Sequence, residues 1–140
     1  MKMHSASLAW QTQLKHVLTI GLVENGTKEL MASQVRFDMR YPVVYVPGRK
    51  PSYRFMAAEA AYILQGRNDV AYLAKVLPSF EKYSDDGHYQ SGAYGPPFVD
   101  QMPYILECLN KAPGSRQAVV SIWRPKPMAS KDIPCTLTLQ

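Results

Sequence analysis

Cysteine and histidine are scarce in this chain: two cysteines, Cys108 and Cys135, and three histidines among 140 residues. The two cysteines fit neither a zinc site nor a redox pair, and no metal is expected. Reduced thiols in a cytoplasmic setting are the simplest expectation. Long apolar runs are also missing. None approaches the ~20 residues that a membrane-spanning helix needs, so no membrane partner is expected. The first helix is interrupted by Gln11, Gln13, Lys15 and His16 and lacks the continuous apolar stretch of a signal peptide. Internal repeats and low-complexity segments are absent. The charge balance, 16 Lys and Arg against 11 Asp and Glu, gives +5. The basic residues are scattered and no nucleic-acid motif accompanies them, so nucleic acid is not expected as a partner. A ligand carrying phosphates suits the balance better.

What is present reads as one α+β domain over residues 1–140 with a modest core. Ser5 or Ser7 can cap a helix over 8–20, which Gly21 and Asn25-Gly26 end. Met31, Val35, Phe37 and Met39 alternate with polar residues and predict a strand with one buried face, continued or followed by a second over 41–46. Pro47-Gly48-Arg49-Lys50-Pro51 is a loop. A helix over 54–65 carries Phe55, Ala58, Tyr62 and Leu64, and Gly66 stops it. A further helix starts at Asn68 or Asp69 and runs to Leu77, where Pro78 closes it. Residues 78–97 are loop-rich, and a loop of that length in a compact domain is usually functional. Asp100 is positioned to cap a helix with Met102, Ile105, Leu106 and Leu109, closed by Pro113-Gly114. Strands are predicted over 118–123 and 136–140, joined by a polar, proline-bearing connection over 125–132.

Several residues carry possible chemistry. Cys135 stands between Pro134 and an alternating run. A cysteine at a strand entry is held rigidly, as a nucleophile must be; the alternative is a small buried hydrophobe. Cys108 reads as helix core. Glu59, between Ala58 and Ala60, puts a carboxylate on an otherwise apolar helix, either as a helix-end charge paired with Arg54 or Arg67 or as a proton-handling group. Tyr94 lies in Gly92-Ala93-Tyr94-Gly95, where flanking glycines let the backbone approach a ligand, or where the ring packs a loop. Arg116 follows Gly114-Ser115 at a turn. Arg49-Lys50 is either a basic ligand contact or a solvated pair. His88 and Tyr89 are more simply exposed, and His4 and His16 read as surface residues.

The order of five segments resembles the thymidylate synthase and deoxypyrimidine hydroxymethylase superfamily. They are Asn25-Gly26-Thr27 through Gln34-Val35-Arg36-Phe37; Glu59 through Gly66 with Asn68 and Tyr72-Leu73; Asp85, Gly87 and Gly92-Ala93-Tyr94-Gly95; Asp100-Gln101, Pro113-Gly114-Ser115-Arg116 and Val120-Ser121-Ile122-Trp123; and Pro134-Cys135 with Gln140. The resemblance implies a fold with a twisted mixed sheet and flanking helices, truncated here after the nucleophile strand. It implies transfer of a one-carbon unit from 5,10-methylenetetrahydrofolate to C5 of a pyrimidine deoxynucleotide monophosphate. Cys135 would add to C6 of the base, which makes C5 a carbon nucleophile and divides one hard bond formation into two easier steps. Glu59 and Tyr94 would relay protons. Arg116 would bind the nucleotide phosphate of the neighbouring subunit in a homodimer. Arg49, Lys50 and Phe80 would contact folate.

The pattern departs from the family's at five positions. Leu22 and Gln117 stand where phosphate arginines are usual, Phe80 and Tyr83 where tryptophans precede the tyrosine loop, and Thr136 where a histidine follows the cysteine of thymidylate synthases. A Cys-Thr pair is more similar to hydroxymethylases and divergent phage-type relatives. Methyl and hydroxymethyl products, and uracil and cytosine bases, both remain open on these residues. The family's base-reading side chain lies downstream of the cysteine, so a catalytically incomplete fragment or a non-catalytic nucleotide-binding subunit is the alternative expectation.

Overall fold

A computed structural model describes residues 5–124 and 129–140. His4 and part of the 125–132 connection lie outside them. The chain divides into two compact units, Met1–Pro51 and Ser52–Gln140. The division falls at the loop around Gly48 and Pro51, whose residues disfavour regular structure.

The first unit opens with α1, Ala6–Ile20. Ser5 caps it by accepting a hydrogen bond from the Leu8 N–H, and the Gly21 N–H closes it on the Val17 carbonyl. β1, Leu22–Glu24, then pairs antiparallel with β2, Thr27–Glu29. Asn25 and Gly26, at φ 49° and 79°, form the two-residue turn between them, the left-handed pair that a tight hairpin requires. This turn is therefore a hairpin tip. The strand expected from Met31 to Met39 is not formed. Ala32 sits in a turn at φ 53°, and Met31 and Met39 are 81% and 72% exposed. Alternation alone cannot make a strand without a partner to pair with and a surface to cover it. Residues 41–46 form no strand either; they are tied to the start of α1 by Ala6 N–H to the Tyr41 carbonyl and Tyr45 N–H to the Ser7 hydroxyl.

The second unit begins with α2, Tyr53–Leu64, capped by the Ser52 hydroxyl on the Phe55 N–H. Gly66, at φ 66°, ends it: its N–H reaches the Ile63 carbonyl, and the Arg67 N–H reaches that of Tyr62. Phe55, Ala58 and Tyr62 share the buried face, while Leu64 points outward at 67% exposure. α3 is shorter than expected, Val70–Ala74, with Asp69 as its cap. Pro78 opens a 3-10 helix, Pro78–Tyr83, instead of merely closing α3. α4, Gly95–Lys111, starts five residues before Asp100. Pro96 and Pro97 were read as loop, but a proline in a first helical turn loses no hydrogen bond that would otherwise form.

β3, Val120–Ser121, pairs antiparallel with β4, Thr138–Leu139. The Gln101 side chain extends this pairing from α4, donating to the Ser121 carbonyl and accepting from its N–H. Among the described residues the strands make two separate two-stranded sheets, not one mixed sheet: the paired stretches are two or three residues long and lie in different units. Two apolar clusters form the core of the second unit. Ile105, Ala118, Val120 and Ile122 make one; Tyr62, Leu73 and Ala93 make the other. No described helix is long and apolar enough to cross a membrane.

Candidate active site

The segment Gly92-Ala93-Tyr94-Gly95 organises the site. Ala93 belongs to one apolar cluster and Tyr94 packs on the other. Both glycines are required by backbone meeting backbone. A Cβ on Gly95 would lie 2.5 Å from the Arg67 carbonyl oxygen, and one on Gly92 would lie 2.9 Å from the Asp132 oxygen and the Pro134 nitrogen. These glycines admit the helix turn at one end and the cysteine segment at the other.

That cysteine segment is hung from the preceding loop by a ladder of polar contacts. Asp85 accepts from the Lys131 N–H, and the Lys131 ammonium donates to the Ser84 carbonyl. The Asp132 carboxylate accepts from the Gly92 N–H at 2.9 Å. The Tyr94 hydroxyl accepts from the N–H groups of Cys135 and Thr136, at 3.1 and 3.2 Å. The loop is itself braced: the Ser84 hydroxyl donates to the Tyr89 carbonyl, and Asp86 accepts from the His88 and Tyr89 N–H groups. Those bonds hold the Asp86 carboxyl below its usual range, the Tyr89 N–H contributing most. His88 and Tyr89 are exposed.

These supports define a cleft of about 190 Å³ lined by Glu59, Tyr62, Phe80, Gln90, Tyr94, Asp132 and Cys135, among others. Four residues singled out from the sequence thus meet: Cys135, Glu59, Tyr94 and Phe80. Cys135 is an exposed free thiol. Glu59 is solvent-accessible at the rim, yet the apolar lining desolvates its carboxyl and raises its pKa. It is not a helix-end charge paired with Arg67, because that guanidinium binds Asp69. Phe80 presents its ring between Phe55 and Tyr83, with both centroid distances 5.9 Å.

Arg116 is not in this cleft. It is exposed on a separate groove with Phe98, Ile105 and Gln140, and its carbonyl accepts from the Gln140 amide. Arg49 and Lys50 belong to the first unit, where the Arg49 guanidinium lies 5.0 Å over the Trp10 ring. Cys108 packs half-buried against the Ile105 cluster, in keeping with a core role. Among the described residues no group of three His, Cys, Asp or Glu side chains could hold a metal ion.

Sequence reading missed Tyr62, Gln90 and Asp132. Asp132 sits three residues before the cysteine, where an acidic residue had a supporting role available. Tyr62 was counted as ordinary helix core, and nothing in the local pattern set Gln90 apart.

The thymidylate synthase family model matches residues 10–140. The chain belongs to the thymidylate synthase family. It is 37% identical over 91 residues to a deoxyuridylate hydroxymethyltransferase of Pseudomonas phage M6, a match covering 59% of this chain and 26% of that protein. It is 28% identical over 140 residues to the protein of the same name from Bacillus phage SP01, covering 84% of this chain and 37% of that one. The chain thus spans well under half the length of these relatives.

Proposed function

We propose that the chain forms the nucleophile-bearing part of a deoxyuridylate hydroxymethyltransferase, with 5,10-methylenetetrahydrofolate as one-carbon donor. The observation that carries this reading is the convergence of Cys135, Glu59 and Tyr94 on one cleft with an aromatic wall. The hydroxymethyl outcome is favoured by the names of the phage relatives and by Thr136 after the cysteine.

The Cys135 thiolate adds to C6 of the base, and the ring becomes nucleophilic at C5. The Tyr94 hydroxyl spends its lone pairs on two backbone N–H groups, so its own proton is free to point at a reacting group. Glu59, whose pKa is raised by desolvation, is suited to exchange a proton at C5. The cleft is smaller than the ~300–1,000 Å³ of a typical ligand pocket and suits the base rather than a whole nucleotide. Phe80 and Tyr83 offer flat apolar surface suited to the pterin ring of the folate, which supplies the carbon when bound. Arg49 and Lys50 as folate contacts, a homodimer in which Arg116 holds the neighbouring subunit's phosphate, and a cytoplasmic setting belong to the same proposal. The exposure of Arg116 outside the Cys135 cleft is compatible with service to another subunit.

The test is incubation with 5-fluorodeoxyuridylate and methylenetetrahydrofolate, followed by peptide mass mapping. A ternary adduct on Cys135 is expected. An adduct elsewhere, or none with substrate and folate saturating, would overturn the reading.

A further inference from the structure

Cys135 has no regular structure around it: residues 129–136 belong to no helix or strand. Its thiol is exposed, and the thiol's hydrogen bond, 3.9 Å to the Ile133 carbonyl, is a weak one. A helix or sheet ladder therefore does not place this side chain. Contacts from side chains must do so.

Two anchors bracket it. On one side the Tyr94 hydroxyl accepts from the Cys135 and Thr136 N–H groups. On the other, three residues earlier, the Asp132 carboxylate accepts from the Gly92 N–H at 2.9 Å. Both anchors end on one short stretch, Gly92 to Tyr94, beside the cleft that Glu59, Asp132 and Cys135 line. Two points fix both the place and the direction of a segment, whereas one point leaves it free to pivot. The Asp132 bond has an ionised acceptor, which makes it the stronger kind. The backbone beneath it is also in contact. A Cβ on Gly92 would lie 2.9 Å from the Asp132 carbonyl oxygen, and that carbonyl accepts from the Ser130 hydroxyl at 2.7 Å. A hydrogen bond made beside so close a backbone contact tolerates little change in side-chain length.

We propose that Asp132 is a positioning residue for Cys135: its carboxylate, seated on the Gly92 N–H, holds the thiol where it can add to the base. The role rests on the Cys135 chemistry proposed above. Asp132 acts through Cys135 and makes no bond to substrate. Without this anchor the segment pivots about the Tyr94 hydroxyl, and the thiol is displaced while the segment stays attached. A displacement of about 1 Å in a reacting group can cost about a hundredfold in rate. What the anchor supplies is an acceptor oxygen at a fixed reach, not a negative charge. That separates it from the other use of a carboxylate here, a second proton-exchanging group beside Glu59.

Three variants of the full chain test the role, each at a temperature where it is folded by circular dichroism. Asp132→Asn keeps an acceptor oxygen at the same reach and removes the charge. Asp132→Glu keeps the charge and lengthens the tether by one methylene. Asp132→Ala removes the anchor. The readout is the rate of ternary-adduct formation on Cys135 with 5-fluorodeoxyuridylate and methylenetetrahydrofolate. With both ligands saturating, Asp132→Ala and Asp132→Glu are expected to react at least about tenfold more slowly than the parent, and Asp132→Asn within about threefold of it. The half-saturating nucleotide concentration should move by less than about threefold in all three, because binding of the ring is untouched. Tritium release from C5-tritiated deoxyuridylate should follow the same order.

If Asp132→Asn is as slow as Asp132→Ala, the charge matters and the positioning role is overturned. It is overturned equally if Asp132→Glu matches the parent, or if the loss lies in half-saturation and not in rate. Should Asp132→Ala fail to fold, the contrast between Asn and Glu still decides. The anchor is also read without ligand, by amide hydrogen exchange in NMR spectra. The Gly92 N–H should exchange at least about tenfold faster in Asp132→Ala than in the parent or Asp132→Asn. Equal exchange in all three overturns the anchor. A parent that forms no adduct overturns the transfer reading and the positioning role together, while exchange at Gly92 judges the anchor by itself.

Discussion

Among the described residues of the first unit, Ala6 and Asp38 are buried, while Leu18, Leu22, Val23, Met31 and Tyr45 are each more than half exposed. The second unit buries Tyr62, Val70, Leu73, Ile105, Val120 and Ile122 and gathers them into clusters. Both units contain a capped helix, a glycine-bearing turn and an antiparallel strand pair. The difference is whether those elements have a common interior. In the second unit they do, and the groups that build it also position the cleft: Tyr62 and Ala93 are core residues that line it, and Gly92 and Tyr94 hold the cysteine segment by contact and by hydrogen bond. Site and stability should therefore rise and fall together in residues 52–140 and be separable only at side chains that project into the cleft without supporting it.

Cys135 is such a side chain, and the largest effect is expected there. Cys135→Ser should abolish the 5-fluorodeoxyuridylate adduct and leave the folded state nearly unchanged, because the thiol is exposed and its hydrogen bond, 3.9 Å to the Ile133 carbonyl, is a weak one. Cys108→Ser should keep the adduct. Loss of the adduct in Cys108→Ser with the fold intact would reverse the assignment of the two thiols.

Glu59→Gln comes next. Removing a general acid-base group should lower tritium release by roughly 10²–10⁴-fold. The same change should act on stability with a definite sign. The Glu59 carboxyl has its pKa raised by desolvation in the folded chain. The folded state therefore holds a proton at pH values where the unfolded chain has lost it. Ionised Glu59 costs stability above the raised pKa, and the cost disappears as pH falls through that value toward the unfolded one. Because Glu59 is partly exposed, the gain is small: Glu59→Gln should be slightly more stable than the parent at neutral pH and equal to it in acid, by denaturant titration at the two pH values. A neutral-pH destabilisation would mean that Glu59 supports the core as well as the chemistry.

Gly95→Ala reverses the balance. Its Cβ would meet the Arg67 backbone at 2.5 Å, a contact that cannot be relieved by rotating a side chain. A loss of about 1–3 kcal/mol is expected, the usual range for overpacking, with adduct formation falling in step. Gly114 has nothing within 4 Å of the equivalent position, and Gly114→Ala should stay within about 0.5 kcal/mol of the parent.

The sequence carried this second unit better than the first. The helix start at Asp69 and the stop at Gly66 were legible because their cues are local: a short polar side chain before an apolar run, a glycine after one. The joining of Glu59, Phe80, Tyr94 and Cys135 was legible only through the order of the family's segments, since nothing local says that residue 59 meets residue 135. The strand over 31–39 failed for the converse reason. Its alternation was a sound local signal, but pairing and burial are supplied by other parts of a fold. Tyr62 and Gln90, each with a buried side-chain oxygen that has no partner among the described residues, were illegible in principle. A buried polar group without a partner is a property of its neighbours in space, and its residue type gives no hint of it.

The smallest expected effect is the sharpest comparison of the two units, because the chemistry is the same in both. Ser5 caps α1 through the Leu8 N–H and Ser52 caps α2 through the Phe55 N–H, each at 3.3 Å. Replacing either by Ala should remove a similar local stabilisation, about 1 kcal/mol. The consequences should differ. α2 packs Phe55, Ala58 and Tyr62 into a cluster shared with α3 and the tyrosine loop, so its loss is felt by the whole unit. Ser52→Ala should lower the main melting transition by about 4–8 °C, the shift expected per kcal/mol in a domain of this size. α1 has one buried residue, Ala6, and no cluster to transmit its fraying. Ser5→Ala should leave that transition in place and instead speed amide hydrogen exchange in the first turn of α1, the behaviour of a segment that opens below the global free energy. Equal shifts of the main transition in the two variants would show that residues 5–51 melt as part of the same cooperative core, and the contrast between the units would be one of surface exposure alone.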